Sequence, residues 1–265
     1  MVNLHDRVAL VTGSSRGIGA HIARRLAADG AKVILHGRGK DTAIEQVAEG
    51  IRADGGTADI VVGDLCSTID PTRIVQEAHT RYGGLDILIN NAGGGGSGPL
   101  VDQDPDQIDR ALTLNLRAVI LATAEFARLT TSSHGRVIVI SSGAATHPAL
   151  HASVYAAAKA GAEAFARSAA LELGERGITV NAVAPGPTLT DMAAEAIRQQ
   201  GPQWADTVSQ WSALRRMGRP EDIAAVVAFL VSDEGGWVTG ATVPASGGMV
   251  STATTIFGLS QRSSN

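Results

Sequence analysis

The chain has 265 residues, of which 44% are hydrophobic and 18% charged, with 22 Lys and Arg against 26 Asp and Glu. A net charge of −4 leaves no basic excess for nucleic acid, and no apolar run is long enough to cross a bilayer. Cys66 is the single cysteine, which excludes an internal disulfide, and the opening MVNLHDRVALVTG has no basic-then-apolar leader. A cytoplasmic protein is expected.

Short β-branched runs alternate with longer Ala-rich segments along the chain. RVALVT (7–12), KVILH (32–36), ADIVVGD (58–64) and LDILIN (85–90) read as buried strands. RVIVIS (136–141), ITVNAVAP (178–185) and the weaker ATVPA (241–245) continue the series. Between them, GAHIARRLAADG, TAIEQVAEGIRADG and TRIVQEAHTRYG space their apolar residues three and four apart and end in glycine stops. This alternation predicts an α/β fold, a doubly wound parallel sheet of about seven strands with helices on both faces. Right-handed crossovers then gather the strands' C-terminal ends on one rim, where ligands bind. The stretch GGGGSG (93–98) has a linker's composition, but the alternation continues on either side, so it is read as a rim loop within a single domain.

The first strand runs into TGSSRGIG (12–19) and then a helix. Gly13, Gly17 and Gly19 let the backbone approach a pyrophosphate, and the helix N-terminus at Ser15, Arg16 and Ile18 supplies amide donors. The second strand ends HGRGK, with Arg38 where an acid would hold a ribose 2′-hydroxyl. Arg38 and Arg16 suit a 2′-phosphate, so NADP (as NADPH) is the expected cofactor. The alternative is that both are solvated surface arginines and that NAD is used.

Tyr155 is one of two tyrosines and Lys159 one of three lysines, and they stand four apart in VYAAAKAGAEAF. On a helix they share one face. A phenol beside an ammonium and a positive nicotinamide ring is expected to ionise more easily, and so to exchange a proton with a carbonyl or alcohol oxygen.

Six motifs then stand in order: T-G-x-x-x-G-x-G at 12–19, N-N-A-G at 90–93, Asn115 in LNL, Ser142 closing VIVISS, Y-x-x-x-K at 155–159 and PGPTLTDM at 185–192. Over nearly its whole length the chain resembles the short-chain dehydrogenase/reductase superfamily, in its branch of about 250 residues. It is similar within that branch to the 3-oxoacyl-carrier-protein reductases. The resemblance implies a Rossmann fold and hydride exchange between NADP and a small or medium carbonyl or alcohol substrate. By the same resemblance Tyr155 is the general acid/base, Lys159 lowers its pKa and binds the nicotinamide ribose, and Ser142 holds the substrate oxygen. Ser141 is the alternative to Ser142, and strand-end capping the plain explanation of either. Asn115 would fix a water leading from Lys159, or simply satisfy helix backbone. Asp64 and Leu65 would meet the adenine; Asn91, Ala92 and Gly93 would line the cofactor wall; Pro185, Gly186, Thr188 and Thr190 would frame the nicotinamide. A noncatalytic nucleotide-binding regulator of the same fold is the competing reading.

No metal is expected: His147 and His151 have no carboxylate or Cys partner at ligand spacing, and they lie where substrate could be faced. Residues of about 187–219 form a variable lid, in which Trp204 and Trp211, seven apart, are expected on one helical face. With Met192, Leu214 and Met217 they would roof the site, or else pack the lid onto its own domain or another subunit. Docking arginines common in carrier-protein reductases are replaced by Ser133 and Leu171, which favours a free substrate. The family habit implies a homotetramer through helices starting near 103 and 153. The polar tail of about 251–265 offers Ile256, Phe257 and Leu259 to a neighbouring subunit.

Overall fold

The computed structural model describes residues 2–147 and 150–249, without the side chains of Met192, Ala196, Gln200 and Pro202. The tail at 251–265, with Ile256, Phe257 and Leu259, lies outside the described residues. The strands are β1 (Val8–Val11), β2 (Lys32–Gly37), β3 (Thr57–Val62), β4 (Ile87–Asn90), β5 (Arg136–Ile140), β6 (Thr179–Pro185) and β7 (Thr242–Ala245). The helices up to the fifth strand are α1 (Gly17–Ala28), α2 (Thr42–Ala53), α3 (Asp70–Tyr82), α4 (Pro105–Leu112) and α5 (Ala118–Leu129). After it come α6 (Ser153–Leu173), α7 (Asp191–Gln200), α8 (Pro202–Ser209) and α9 (Pro220–Val231).

All seven strands are parallel, in the order β3-β2-β1-β4-β5-β6-β7. The strands are mostly apolar on both faces because both faces of such a sheet are covered. Ala9, Val11, Val33 and Leu35 point into a core shared with Ile22, Leu26 and Val227 of α1 and α9. Leu10, Ile34, Leu88 and Val137 point the other way, against Ile74, Phe126 and Ala166 of α3, α5 and α6. The order reverses direction between β1 and β4, which opens a crevice at their C-terminal ends.

Local signals place the helix ends. Asp41 caps α2 by accepting the Ile44 N–H at 3.0 Å, and Gly83 ends α3 in the left-handed region at φ 72°. The helix expected near 103 begins at Pro105 and is interrupted: Thr113–Arg117 form a π-turn between α4 and α5. The glycine stretch after β4 is a loop on the rim, with left-handed Gly95 and Gly96 at φ 75° and 74°. No helix among the described residues is long and apolar enough to cross a membrane.

Candidate active site

The turn from β1 into α1 is held from three sides. Gly13 sits at φ 63°, and a Cβ there would lie 2.9 Å from the Ala92 Cα, so the turn's closeness to the loop after β4 demands glycine. A Cβ on Gly19 would run into the Asn91 amide and the Gly13 carbonyl. Asn91 donates to the carbonyls of Thr12 at 2.8 Å and Gly13 at 3.0 Å, so its side chain braces the turn. The Thr12 hydroxyl accepts the N–H groups of Asn91 at 2.9 Å and Ala92 at 3.0 Å. Gly93 begins the rim loop beyond them.

His36 completes this clamp, and the sequence reading missed it. Its Nδ1 accepts the Gly13 N–H at 3.2 Å and its Nε2 donates to the Gly63 carbonyl at 3.1 Å. Ser14 and His36 also share two bonds: the His36 N–H donates to the Ser14 Oγ at 2.9 Å, and the Ser14 N–H donates to the His36 carbonyl at 3.0 Å. A histidine inside an apolar strand reads as core; only the partners reveal that it ties β2 and β3 to the glycine turn. Burial lowers its pKa from 6.5 to about 4, although the Gly63 carbonyl pulls the other way. The unfolded chain therefore takes up a proton between those values that the folded one refuses. Stability should be complete above pH 6.5 and decline as pH falls towards about 4, by on the order of 3 kcal/mol from this group. Acid denaturation of His36→Asn beside the parent checks this; an identical loss between pH 6.5 and 4 in both would rule it out.

The α1 N-terminus is uncapped. No side chain bonds to it, its first turn holds no acid, and the N–H groups of Ile18 and Gly19 meet no protein acceptor among the described residues. Ser15 lies half-buried beside it. Arg16 and Arg38 are exposed and neither forms an ion pair among the described residues. Free amides at a helix end beside two unpaired guanidiniums suit a ligand carrying several phosphates. Asp64 and the buried Leu65 follow β3 on the same rim; Asp64 accepts the Cys66 N–H at 3.0 Å and lies 3.8 Å from Arg110.

Tyr155 and Lys159 do share a face of α6, with the Lys159 Nζ 5.8 Å from the centre of the tyrosine ring. The ammonium is 3% exposed and donates to the Ile140 carbonyl at 2.7 Å. A Cβ on Gly93 would lie 2.9 Å from that Nζ and 2.8 Å from the Asn115 Oδ1, so both groups reach the rim loop because Gly93 lacks one. Asn115 is fully buried in the π-turn. It donates to the carbonyls of Gly94 and Ala111, both at 2.8 Å, and accepts the Gly94 N–H at 3.0 Å. Its side chain thus does the backbone-satisfying work given as the plain alternative, and extends it to the loop beside Lys159.

The two adjacent serines separate. The Ser141 hydroxyl is buried and donates to Glu163 at 2.6 Å, which leaves Ser142 as the serine beside the phenol. Ser142 also caps the next turn, accepting the Ala144 N–H at 3.2 Å. One expectation is corrected here. For the protein alone, burial raises the Tyr155 pKa above 10, and Ser142 opposes that rise in part. The Lys159 ammonium is turned to Ile140 and is itself depressed by burial, from 10.5 to about 8. The phenol of the protein alone is a firmly protonated acid.

Beyond β6, Pro185 pairs with Ala245, and Gly186 packs so that a Cβ would come 2.9 Å from the Ser246 Cα. The Thr188 hydroxyl donates to Gly186 at 2.8 Å, and Thr190 caps α7 and faces Gly17 of the glycine turn. The lid corrects a second expectation. Helix α8 ends at Ser209, so Trp211 shares no helical face with Trp204 and is exposed. Trp204 packs instead with Ala193, Val208 and Met217, and Leu214 faces outward, so this part of the lid closes on itself. His151 is exposed at φ 61°, with its carbonyl accepting the Gly98 N–H at 2.8 Å; His147 pairs with the Thr146 hydroxyl. No cluster of three His, Cys, Asp or Glu residues lies together among the described residues.

A sheet order reversed at β1, a glycine turn on an uncapped helix and a tyrosine–lysine pair facing a serine define a class, and the chain belongs to the short-chain dehydrogenase/reductase family. The family model described as enoyl-(acyl carrier protein) reductase matches residues 13–250. The chain is 37% identical to a tetrahydroxynaphthalene reductase of Pyricularia oryzae, over 93% of this chain and 90% of that one. It is 36% identical to a versicolorin reductase of Emericella nidulans, over 92% and 96% of the two chains. A short-chain dehydrogenase from Burkholderia cenocepacia, solved in complex with NADP, is 40% identical with a TM-score of 0.86, covering 93% of this chain and 98% of that one.

Proposed function

We propose that the chain is an NADPH-dependent ketoreductase acting on a free, apolar cyclic ketone. The observation that carries this reading is the meeting of Tyr155, Lys159 and Ser142 beside the rim loop, across from an uncapped helix end. When bound, the nicotinamide supplies the hydride. Tyr155 donates its phenolic proton to the carbonyl oxygen, a direction of transfer suited to a phenol that burial keeps protonated. Ser142 donates a second hydrogen bond to that oxygen, which strengthens as negative charge grows there. Lys159 would hold the nicotinamide ribose, Asn115 steadies the loop beside it, and Ile18 and Gly19 would offer N–H groups to the pyrophosphate.

Arg16 and Arg38 are the residues we assign to a 2′-phosphate, in line with the NADP bound by the Burkholderia relative. Arg38→Asp is expected to weaken NADPH binding about 10- to 100-fold, the worth of a charged hydrogen bond, and to improve use of NADH. Competition titrations of both cofactors check this, and a parent protein that prefers NADH would overturn the assignment.

For the substrate, the name of the Pyricularia relative points to a fused-ring polyphenol, which accepts hydride as its keto tautomer. Leu100, Val101, Leu150 and Leu189 stand exposed on the segments that follow β4, β5 and β6, apolar surface that suits such a partner. The exposed Ser133 and Leu171 offer no cation to an acidic carrier protein. NADPH consumption with a panel of tetralones, decalones, sugars and acyl thioesters tests the whole reading. Turnover of the bicyclic ketones is expected; tight NADPH binding without reduction of any carbonyl would favour the noncatalytic alternative. The expected assembly is a homotetramer built on α4 and α6, with the fully exposed Trp237 as a further apolar contact, and sedimentation showing only monomer would contradict it.

A further inference from the structure

Helix α6 carries Tyr155, Lys159, Glu163 and the exposed Arg167 at four-residue intervals, and the first three share one face. They meet three consecutive residues where β5 ends. The Lys159 Nζ donates to the Ile140 carbonyl at 2.7 Å, Ser141 donates to Glu163 at 2.6 Å, and Ser142 lies beside the Tyr155 phenol. The outer pairs are the reacting ones; the third has no part in the chemistry described above. We propose that Glu163, acting through Ser141, is a positioning residue that sets where Ser142 stands against Tyr155. The proposal rests on the reductase reading.

The chemistry of the pair supports this. Glu163 is 5% exposed and Ser141 3%. The rest of that face of α6 is alanine, at Ala158, Ala162, Ala166 and Ala169. Burying a carboxyl among alanines is unfavourable unless a donor meets it, and a small apolar residue would pack there at lower cost. A short hydroxyl-to-carboxylate bond is strong and directional. It fixes the Ser141 side chain to α6, while the Ser141 N–H is fixed to β6 through the Val183 carbonyl at 2.7 Å. The strand end is thereby pinned between its neighbouring strand and the helix that bears Tyr155 and Lys159. Without Glu163, Ser141 itself keeps only its backbone bond to β6 among the described residues, and Ser142, the next residue, can shift relative to the phenol.

The test compares Glu163→Ala, Glu163→Gln and Ser141→Ala with the parent on a bicyclic ketone and its alcohol. Misplacement on the ångström scale can reduce rates 100-fold, so Glu163→Ala should lower kcat roughly 10- to 100-fold with the Kd for NADPH unmoved. The rising limb of its pH profile for alcohol oxidation should shift upward, because Ser142 no longer favours the ionised phenol. Glu163→Gln still accepts the Ser141 hydroxyl and should recover most of kcat. Ser141→Ala should match Glu163→Ala, and combining them should add little, as for two halves of one interaction. An unchanged kcat, an unmoved pH limb, or a Gln variant as damaged as the Ala variant would each overturn the proposal. If Glu163→Ala does not fold, the Gln and Ser141→Ala variants decide by the same readouts. A parent without turnover defeats the reductase reading and this proposal together; an active parent beside unaffected variants defeats the proposal alone.

Discussion

Tyr155→Phe should lower kcat by about 10²- to 10⁴-fold, the usual worth of a placed general acid, while the Kd for NADPH stays within a few-fold. The change removes one hydroxyl and keeps the half-buried ring, so the fold and the glycine turn are untouched. The loss falls on kcat because the proton is needed only as negative charge develops on the substrate oxygen. Steady-state rates with a bicyclic ketone, paired with NADPH fluorescence titration, separate the two quantities. Retained turnover would show that another group supplies the proton. The raised pKa of the phenol adds a sign: reduction should hold steady across neutral pH, and the oxidation of alcohol should need alkaline conditions to free the base.

Lys159→Met should lose most activity and yet match or exceed the parent in thermal stability at pH 7. Lys159 is 3% exposed with a single acceptor among the described residues, and burial takes its pKa from 10.5 to about 8. A shift of that size corresponds to a cost on the order of 3 kcal/mol for keeping the charge in the folded state. Methionine fills similar space without charge but leaves the Ile140 carbonyl unpaired, a loss of about 1–3 kcal/mol. The balance is a gain of about 0–2 kcal/mol, or a few degrees in Tm for a chain of this size. The linkage has a definite direction. The unfolded lysine binds its proton up to 10.5 and the folded one only to about 8, so parent stability rises with pH through that window. The variant's advantage should shrink over the same range. A variant that melts many degrees below the parent at pH 7 would mean that the lysine holds the fold together rather than serving the site.

The glycine turn and the tyrosine–lysine pair were readable from the residues because each depends on local geometry. Four residues along a helix always bring two side chains to one face, and a glycine-rich turn between strand and helix always exposes amides. The strands were readable for a similar reason: a doubly covered sheet requires uninterrupted apolar runs. Trp211 was misplaced because a seven-residue spacing means a shared face only while the helix lasts, and α8 stops at Ser209.

The sequence by itself determined the layered parallel sheet, the family and the residue types that could do the chemistry, since period, spacing and order are properties of the chain. Only the tertiary structure decided which serine faces the phenol, because neighbouring strand residues project to opposite sides and Glu163, far along the chain, claims Ser141. It also decided that burial works against ionisation of the phenol in the protein alone, and that His36 clamps the glycine turn. These outcomes depend on burial and on partners many residues distant, and desolvation exists only once the chain has folded around the group.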